Sequence, residues 1–328
     1  YPDANLLVAD EKSLSPAKRD EFFGKLMNGN YDAIIIKHSQ IEKIPVPAET
    51  TKKVIDRQIN ELKEAIAFEE QESGNRYSLK RLETRLEGLE KKLESIVKDQ
   101  NKTKSIDFSD LGIDCLVVDE SHMYKNLPFS THMSAKGIGN QAGSNKALSM
   151  FGFTSYMNEN DKKIIFLTGT PISNSLSELY NVQKYLMPDE LDRKNLTSFD
   201  AWASVYAKTE NVAELNAANG YDMVTRLTAL RNLPEIAAAY NEVADIVTND
   251  DIKKYYKHYV PPCDVIEKVS PRSQEVENYI DDIIKRMENM KIDYDPRKDN
   301  MLKATNDAKK AGIDYRLIDP SAVDYEDS

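Results

Sequence analysis

Four short apolar runs punctuate the first half of the chain: residues 5–9 (NLLVA), 32–36 (DAIII), 114–118 (DCLVV) and 163–167 (KIIFL). Each is rich in Val, Ile and Leu and lacks polar alternation, the pattern of strands covered by helices on both faces of a parallel sheet. Helical stretches separate them, at residues 16–28 and 142–157. Strands alternating with helices predict an α/β domain.

Residues 50–100 break that rhythm. Ile55, Ile59, Leu62 and Ile66 recur at steps of four, three and four. After the turn-like ESGNRY at 72–77, Leu79, Leu82, Leu86, Leu89, Leu93 and Ile96 recur at alternating steps of three and four, with Lys, Arg and Glu between them. That is an a/d stripe. It predicts two helices, 52–70 and 78–98, folded back on one another as an antiparallel hairpin that projects from the α/β body. A dimerising coiled coil is the alternative, and about two to three heptads is short for one.

Beyond Pro171 the pattern turns mostly helical, with amphipathic stretches at 173–186 and 198–206, the second carrying the single tryptophan, Trp202, on its apolar face. Shorter helices are expected at 221–230 and 233–240, the latter entered through Pro234 in a first-turn position. Pro261-Pro262 reads as a linker, 263–269 as a strand, and 273–291 as a helix with Ser273 as its N-cap. The acidic end, SAVDYEDS, reads as frayed.

Composition narrows the class. With 328 residues, 40% of them hydrophobic and 30% charged, the chain is neither collagen-like nor of low complexity. Its length suggests about two domains. No run approaches the ~18 apolar residues of a membrane span. The opening YPDANLLVADEKSL lacks Met and a basic-then-apolar leader, as expected of a piece cut from a larger protein. Two cysteines, Cys115 and Cys263, are too few for a disulfide framework, so a reducing cytoplasmic setting is expected, with Cys115 a buried thiol. The net charge of −11 lacks the signature of a uniformly basic nucleic-acid binder. Charge is uneven, however: residues 121–174 carry five lysines against Glu159 and Asp161, whereas 273–328 carry nine basic and fourteen acidic residues.

Two motifs carry the candidate chemistry. Asp119-Glu120-Ser121-His122 follows the third apolar run directly, placing two carboxylates at the C-terminal end of a parallel strand, where α/β sheets bind ligands. An Asp there can hold Mg²⁺ through water on a nucleotide's phosphates, the adjacent Glu can orient water, and the His can sense the γ-phosphate. A bare acidic pair would more simply be a strand-end turn. The second motif, Leu167-Thr168-Gly169-Thr170-Pro171, follows the fourth run, with a glycine that permits close backbone approach between two hydroxyls. Other candidates are weaker: His258 and the tyrosines 255, 256 and 259 read as surface or packing residues, and Gly137 and Gly139 as a loop.

Together these motifs resemble motifs II and III of superfamily-two helicases and translocases. VVDESHMYKN and LTGTPISNSLSELYNVQKYLMP are similar to the Swi/Snf-type branch, and YDAIIIKHSQIEKIP resembles the strand and loop that precede motif II. SFDAWASVYA, LPEIAAAYNEVADIVTNDDI and DNMLKATNDAKKAGIDYRLI resemble the large helicase proteins of phages, plasmids and conjugative elements, often fused to methyltransferases. The resemblance spans nearly the whole chain except 50–104.

It implies an α/β fold, an incomplete RecA-like parallel sheet with flanking helices. Residues 1–49 and 105–190 would be a partial lobe one, 50–104 an inserted helical hairpin, 191–260 a helical extension, and 261–328 a linker and the start of lobe two. It also implies ATP and Mg²⁺ as cofactors of the intact parent, with Asp119 holding Mg²⁺, Glu120 positioning water, and His122, Thr168, Gly169 and Thr170 coupling hydrolysis to lobe movement. Lys37, His38, Ser39, Lys125 and Asn126 would face the backbone of double-stranded DNA.

Departures from the family pattern are specific. No GxxxxGK[ST] phosphate loop occurs in the 328 residues, and no arginine-finger motif stands near the C-terminus. The chain therefore reads as an inactive fragment of a motor, expected to bind no nucleotide by itself and to work with the remaining parts of its parent. The alternative is a non-catalytic interaction module that uses the helical hairpin. A methyltransferase finds no support, since no NPPY-type motif is present.

Overall fold

The computed structural model describes residues 2–72, 76–100, 106–215, 221–255, 264–267, 273–289 and 299–322. They belong to two compact units, Tyr1–Glu210 with Thr225–Val243, and Asn211–Val224 with Ala244–Ser328.

The first unit is α/β. Strands β1 (Leu6–Val8) and β2 (Ala33–Ile35) pair in parallel, joined by helix α1 (Arg19–Asn28). The one-turn helix α2 (His38–Ile41) follows β2. Strands β3 (Cys115–Val118) and β4 (Lys163–Phe166) form a second parallel pair in the register Cys115↔Lys163 to Val118↔Phe166. All four predicted strands therefore exist, each trimmed at its ends.

Their inner residues, Leu7, Ile34, Leu116, Ile164 and Phe166, lie against one core with Phe22, Phe23, Met150 and Phe153. The outer residues do not. Leu6, Val8, Ile35, Val117 and Ile165 are 45–62% exposed, and Cys115 lies on that same open side. This corrects two expectations, helices over both faces and a buried Cys115. Both crossover helices, α1 and the helix at Asn145–Glu159, place their buried residues in the same core, so they cover one side only.

Helices α3 (Ala48–Glu72) and α4 (Arg76–Gln100) are the expected hairpin. Leu62, Ala65 and Leu82 close their interface with Ile66, Leu86 and Leu89 around them, and Lys63 reaches Glu90 at 3.9 Å, which sets the antiparallel register. The first half of α3 does not project. Val54 joins the main core, Ile55 and Ile59 are 1% and 6% exposed, and Lys53 and Glu61 pair with Glu159 and Lys184 on the body. The face of α3 beside the predicted stripe, at Lys53, Val54 and Glu61, therefore serves the body.

Helix α5 (Asn145–Glu159) is capped by the Ser144 side chain, which accepts from Ala147 N–H at 3.2 Å, and runs through the core. Helices α6 (Ser177–Leu186), α7 (Pro188–Arg193) and α8 (Phe199–Tyr206) build a second, aromatic cluster of Phe129, Tyr180, Phe199, Trp202 and Tyr206. Trp202 is fully buried and its indole N–H donates to Gln183 Oε1 at 2.6 Å.

Strands β5 (Ala207–Leu215) and β6 (Tyr221–Leu230) form a two-stranded sheet. Residues 221–230, expected as a helix, extend instead as β6. Pairing with β5, and with Lys136, whose N–H donates to Thr225 O while its carbonyl accepts from Leu227 N–H (both 2.8 Å), holds them extended. Gly137, at φ 87°, sits where an added Cβ would lie 3.2 Å from Leu227 O, so this loop is held against β6. Helix α9 (Leu233–Val243) follows as expected.

The second unit carries α10 (Asn249–Tyr255), α11 (Gln274–Asn289) and α12 (Met301–Ile313). Ser273 caps α11 by accepting from Val276 N–H at 3.3 Å. Arg286 is clasped by Asp299 at 2.8 Å and Asp307 at 3.1 Å. Residues 264–267 form no strand. Pro261-Pro262, the rest of the strand expected at 263–269, and most of the acidic end lie outside the described residues. Among the described residues, no helix is long and apolar enough to cross a membrane.

Candidate active site

The parallel pairing of β3 and β4 brings the two motif turns side by side. Leu167 N–H donates to Val118 O and Ser121 N–H donates to Leu167 O, both at 2.9 Å, so the strand ladder continues into the turns. Beyond it, His122 Nδ1 lies 3.3 Å from Thr168 Oγ1 and 3.1 Å from Glu120 Oε2. Thr168 Oγ1 accepts from Thr170 N–H at 3.1 Å, ordering the turn around the exposed Gly169.

Glu120 adopts a left-handed backbone, φ 47° and ψ 45°, unusual for a residue with a side chain. Its N–H is taken up by Asp119 Oδ1 at 2.9 Å. The kink leaves both carboxylates exposed at the strand end while Ser121 and Tyr124 turn inward. A small cleft between the turns is lined by Ser121, His122, Lys125, Thr168 and Pro171. A larger cleft, lined by Arg57, Glu61 and Lys184, has mixed charge and touches neither motif.

The five residues expected at DNA fall into two groups. Lys37 and Ser39 are exposed at the end of β2, with Lys37 paired to Glu11 at 3.0 Å, and Asn126 is exposed beyond the DESH turn. His38 turns inward instead. Its Nδ1 lies 2.8 Å from Tyr124 Oη. Burial pushes the His38 imidazolium below its ordinary range and Lys146 adds to this, against the pull of Asp119 and Glu120. Burial also raises the Tyr124 phenol to about 12, with Glu42 contributing. Lys125 is only 14% exposed and is spent on an ion pair with Glu178 at 3.1 Å.

Sequence reasoning missed Glu178, Asn181 and Tyr124. The available signal was a Glu and an Asn on the apolar face of the helix SELYNVQKYL, one turn apart and followed by Tyr185.

The probable helicase domain family matches residues 1–248, three-quarters of the chain and both motif turns. The chain belongs to that family. It is similar to the chromodomain-helicase-DNA-binding protein 3 homolog of Caenorhabditis elegans, with 28% identity over 169 residues, 50% of this chain and 8% of that protein. Similarity extends to the lymphoid-specific helicase of Homo sapiens (32% over 102 residues, 31% of this chain and 9% of the relative). Protein CHROMATIN REMODELING 4 of Arabidopsis thaliana matches at 26% over 121 residues, 36% of this chain and 5% of the relative. The chain thus aligns with less than a tenth of each of these relatives' length. No solved structure matches it significantly.

Proposed function

We propose that this helicase-family chain carries the hydrolytic turns of a DNA-dependent ATPase, a Swi/Snf-type translocase of double-stranded DNA. Its motif pattern resembles that of the large helicases of phages, plasmids and conjugative elements. The observation that carries this reading is the contact of His122 with both Glu120 and Thr168 at the C-terminal ends of paired parallel strands. The names of the relatives, two of them helicases, support it.

The donor set suits a Mg²⁺ that arrives with its nucleotide. Asp119 and Glu120 are exposed carboxylates, and among the described residues no three His, Cys, Asp or Glu side chains gather into a metal site. Mg²⁺ keeps several waters and takes substrate phosphates as co-ligands, so one carboxylate acting through water suffices on the protein's side. When bound, Mg·ATP would supply the phosphoryl group and neutralise its charge. Asp119 would hold the ion's water shell, and Glu120 would orient the attacking water and receive its proton. His122, bridging Glu120 and Thr168, would tie the water-positioning carboxylate to the Thr168–Thr170 turn.

Lys37, Ser39 and Asn126, the exposed members of the expected DNA set, would contact backbone phosphates, which position a duplex without reading its sequence. His38 and Lys125 would act from behind them, through Tyr124 and Glu178.

Phosphoryl transfer needs positioning and charge stabilisation together. The 328 residues contain neither a phosphate-loop lysine nor an arginine finger. This chain alone should therefore hydrolyse no ATP with or without DNA, whereas a parent polypeptide that includes a GxxxxGK[ST] loop and the second lobe should do so and be stimulated by DNA. Robust hydrolysis by the 328 residues would refute this account of the missing motifs. A full-length parent without any phosphate loop would favour the interaction-module reading.

A further inference from the structure

We propose that Glu178 is a positioning residue of this site, whose buried carboxylate locks the turn after β4 onto the segment after β3. The inference rests on the ATPase reading of Asp119, Glu120 and Thr168, and its test uses no nucleotide.

Glu178 stands in the first turn of α6 and its side chain is 3% exposed. A carboxylate so buried is costly unless it is paired and fully hydrogen-bonded. Its partners come from the segments that follow both motif turns. Lys125 Nζ lies 3.1 Å from Oε1, and Oε2 accepts from Ser173 N–H at 2.6 Å, Asn174 N–H at 3.3 Å and the Ser173 hydroxyl at 3.4 Å. Lys125 Nζ also donates to Ser173 Oγ. Ser173 lies five residues beyond Thr168, and Lys125 three residues beyond His122. One side chain therefore closes a loop of contacts that begins at the His122–Thr168 pair.

The same face of α6 continues the grip. Asn181 donates its amide to Lys125 O at 2.8 Å and Leu127 O at 3.4 Å, and Tyr185 Oη donates to Tyr124 O at 3.0 Å. Positions 178, 181 and 185 share one helical face. Asn181 thus spends its amide on two backbone carbonyls of the segment after β3. The arrangement fits a brace between two turns.

The test is amide exchange and histidine NMR on the 328-residue chain. Glu178→Gln keeps an acceptor for Ser173 N–H but leaves Lys125 buried without its counter-charge. Losing charge-assisted bonds should speed exchange at Ser121 and Thr170, the amides inside the two turns, by about tenfold or more. The His122 ring signals should shift as well, while exchange in α11 and α12 stays unchanged. Adding Lys125→Met removes the stranded charge without restoring the lock, so exchange at Ser121 and Thr170 should stay raised. Should Glu178→Gln prove unable to fold, Lys125→Met alone should still loosen Thr170 while Ser173 N–H remains bonded. A lower melting temperature with Ser121, Thr170 and His122 unchanged, or full recovery of protection in the double variant, would overturn the proposal. Either failure leaves the ATPase reading standing, because that reading is decided by hydrolysis at Glu120.

Discussion

His122 Nδ1 lies 3.3 Å from Thr168 Oγ1, across forty-six residues of sequence and between two strands paired in parallel. The strand register makes this contact possible. Val118 pairs with Phe166, so Asp119–His122 and Leu167–Thr170 leave the sheet at the same edge and at nearly the same height. Thr168→Val keeps the shape and removes the hydroxyl that meets both His122 and Thr170 N–H. A typical hydrogen bond contributes about 0.5–1.5 kcal/mol, so the global stability change should be small. Amide exchange at Thr170 should rise by about tenfold, and unchanged exchange there would contradict the hydrogen bond.

The outer face of the strands is open, with Val8 at 62%, Ile35 at 51% and Val117 at 55% exposure and Cys115 beside them. The folded chain should therefore bind an apolar dye, and Cys115 should react with a thiol reagent without denaturant. Val117→Lys should cut dye binding with little loss of stability, since exposed substitutions usually fall within about 0.5 kcal/mol. A native chain that neither binds dye nor exposes Cys115 would contradict the open face.

Residues along the hairpin should differ sharply in their cost on truncation. Ile55, 1% exposed, should lose about 2–5 kcal/mol as Ile55→Ala. Leu93, half-buried on α4, should lose well under that as Leu93→Ala. Urea titrations followed by Trp202 fluorescence check both, because that buried indole reports the aromatic cluster. Equal losses would mean that the hairpin is a separate element.

Alkaline pH should unfold the first unit. The Tyr124 phenol is raised from 10 to about 12, chiefly by burial, and burial raises Tyr180 and Tyr185 further. Above pH 10 the unfolded chain holds fewer phenolic protons than the folded one, so stability falls as pH rises. The Tyr124 share is fully present below pH 10 and is lost between pH 10 and 12, on the order of 2 kcal/mol. Tyr124→Phe should flatten that part of the slope in denaturation measured from pH 9 to 12. An unchanged slope would show that this phenol titrates normally.

The four strands and both motif turns were legible because short Val/Ile/Leu runs and strand-end polar residues are local signals. The open face was not, because Leu6–Val8 and Cys115–Val118 read the same whether one or two layers of helix cover them. Strand β6, expected as a helix, was not legible because its partners, β5 and Lys136, come from the tertiary fold. Within the site, Asp119, Glu120, His122 and Thr168 followed from motif and position. Glu178 did not, since a glutamate in the first turn of a helix is ordinary until tertiary contacts bury it beside Lys125.

The central claim is that Glu120 serves water attack while the nucleotide is held elsewhere. The most direct measurement compares ATP binding and DNA-stimulated hydrolysis in a parent polypeptide carrying the phosphate loop, with and without Glu120→Gln. If Glu120 orients the attacking water, removing its carboxylate should abolish hydrolysis, by about a hundredfold or more, and leave ATP affinity within about threefold. Hydrolysis at the parent rate in Glu120→Gln would remove Glu120 from the mechanism and with it the hydrolytic reading of the paired turns.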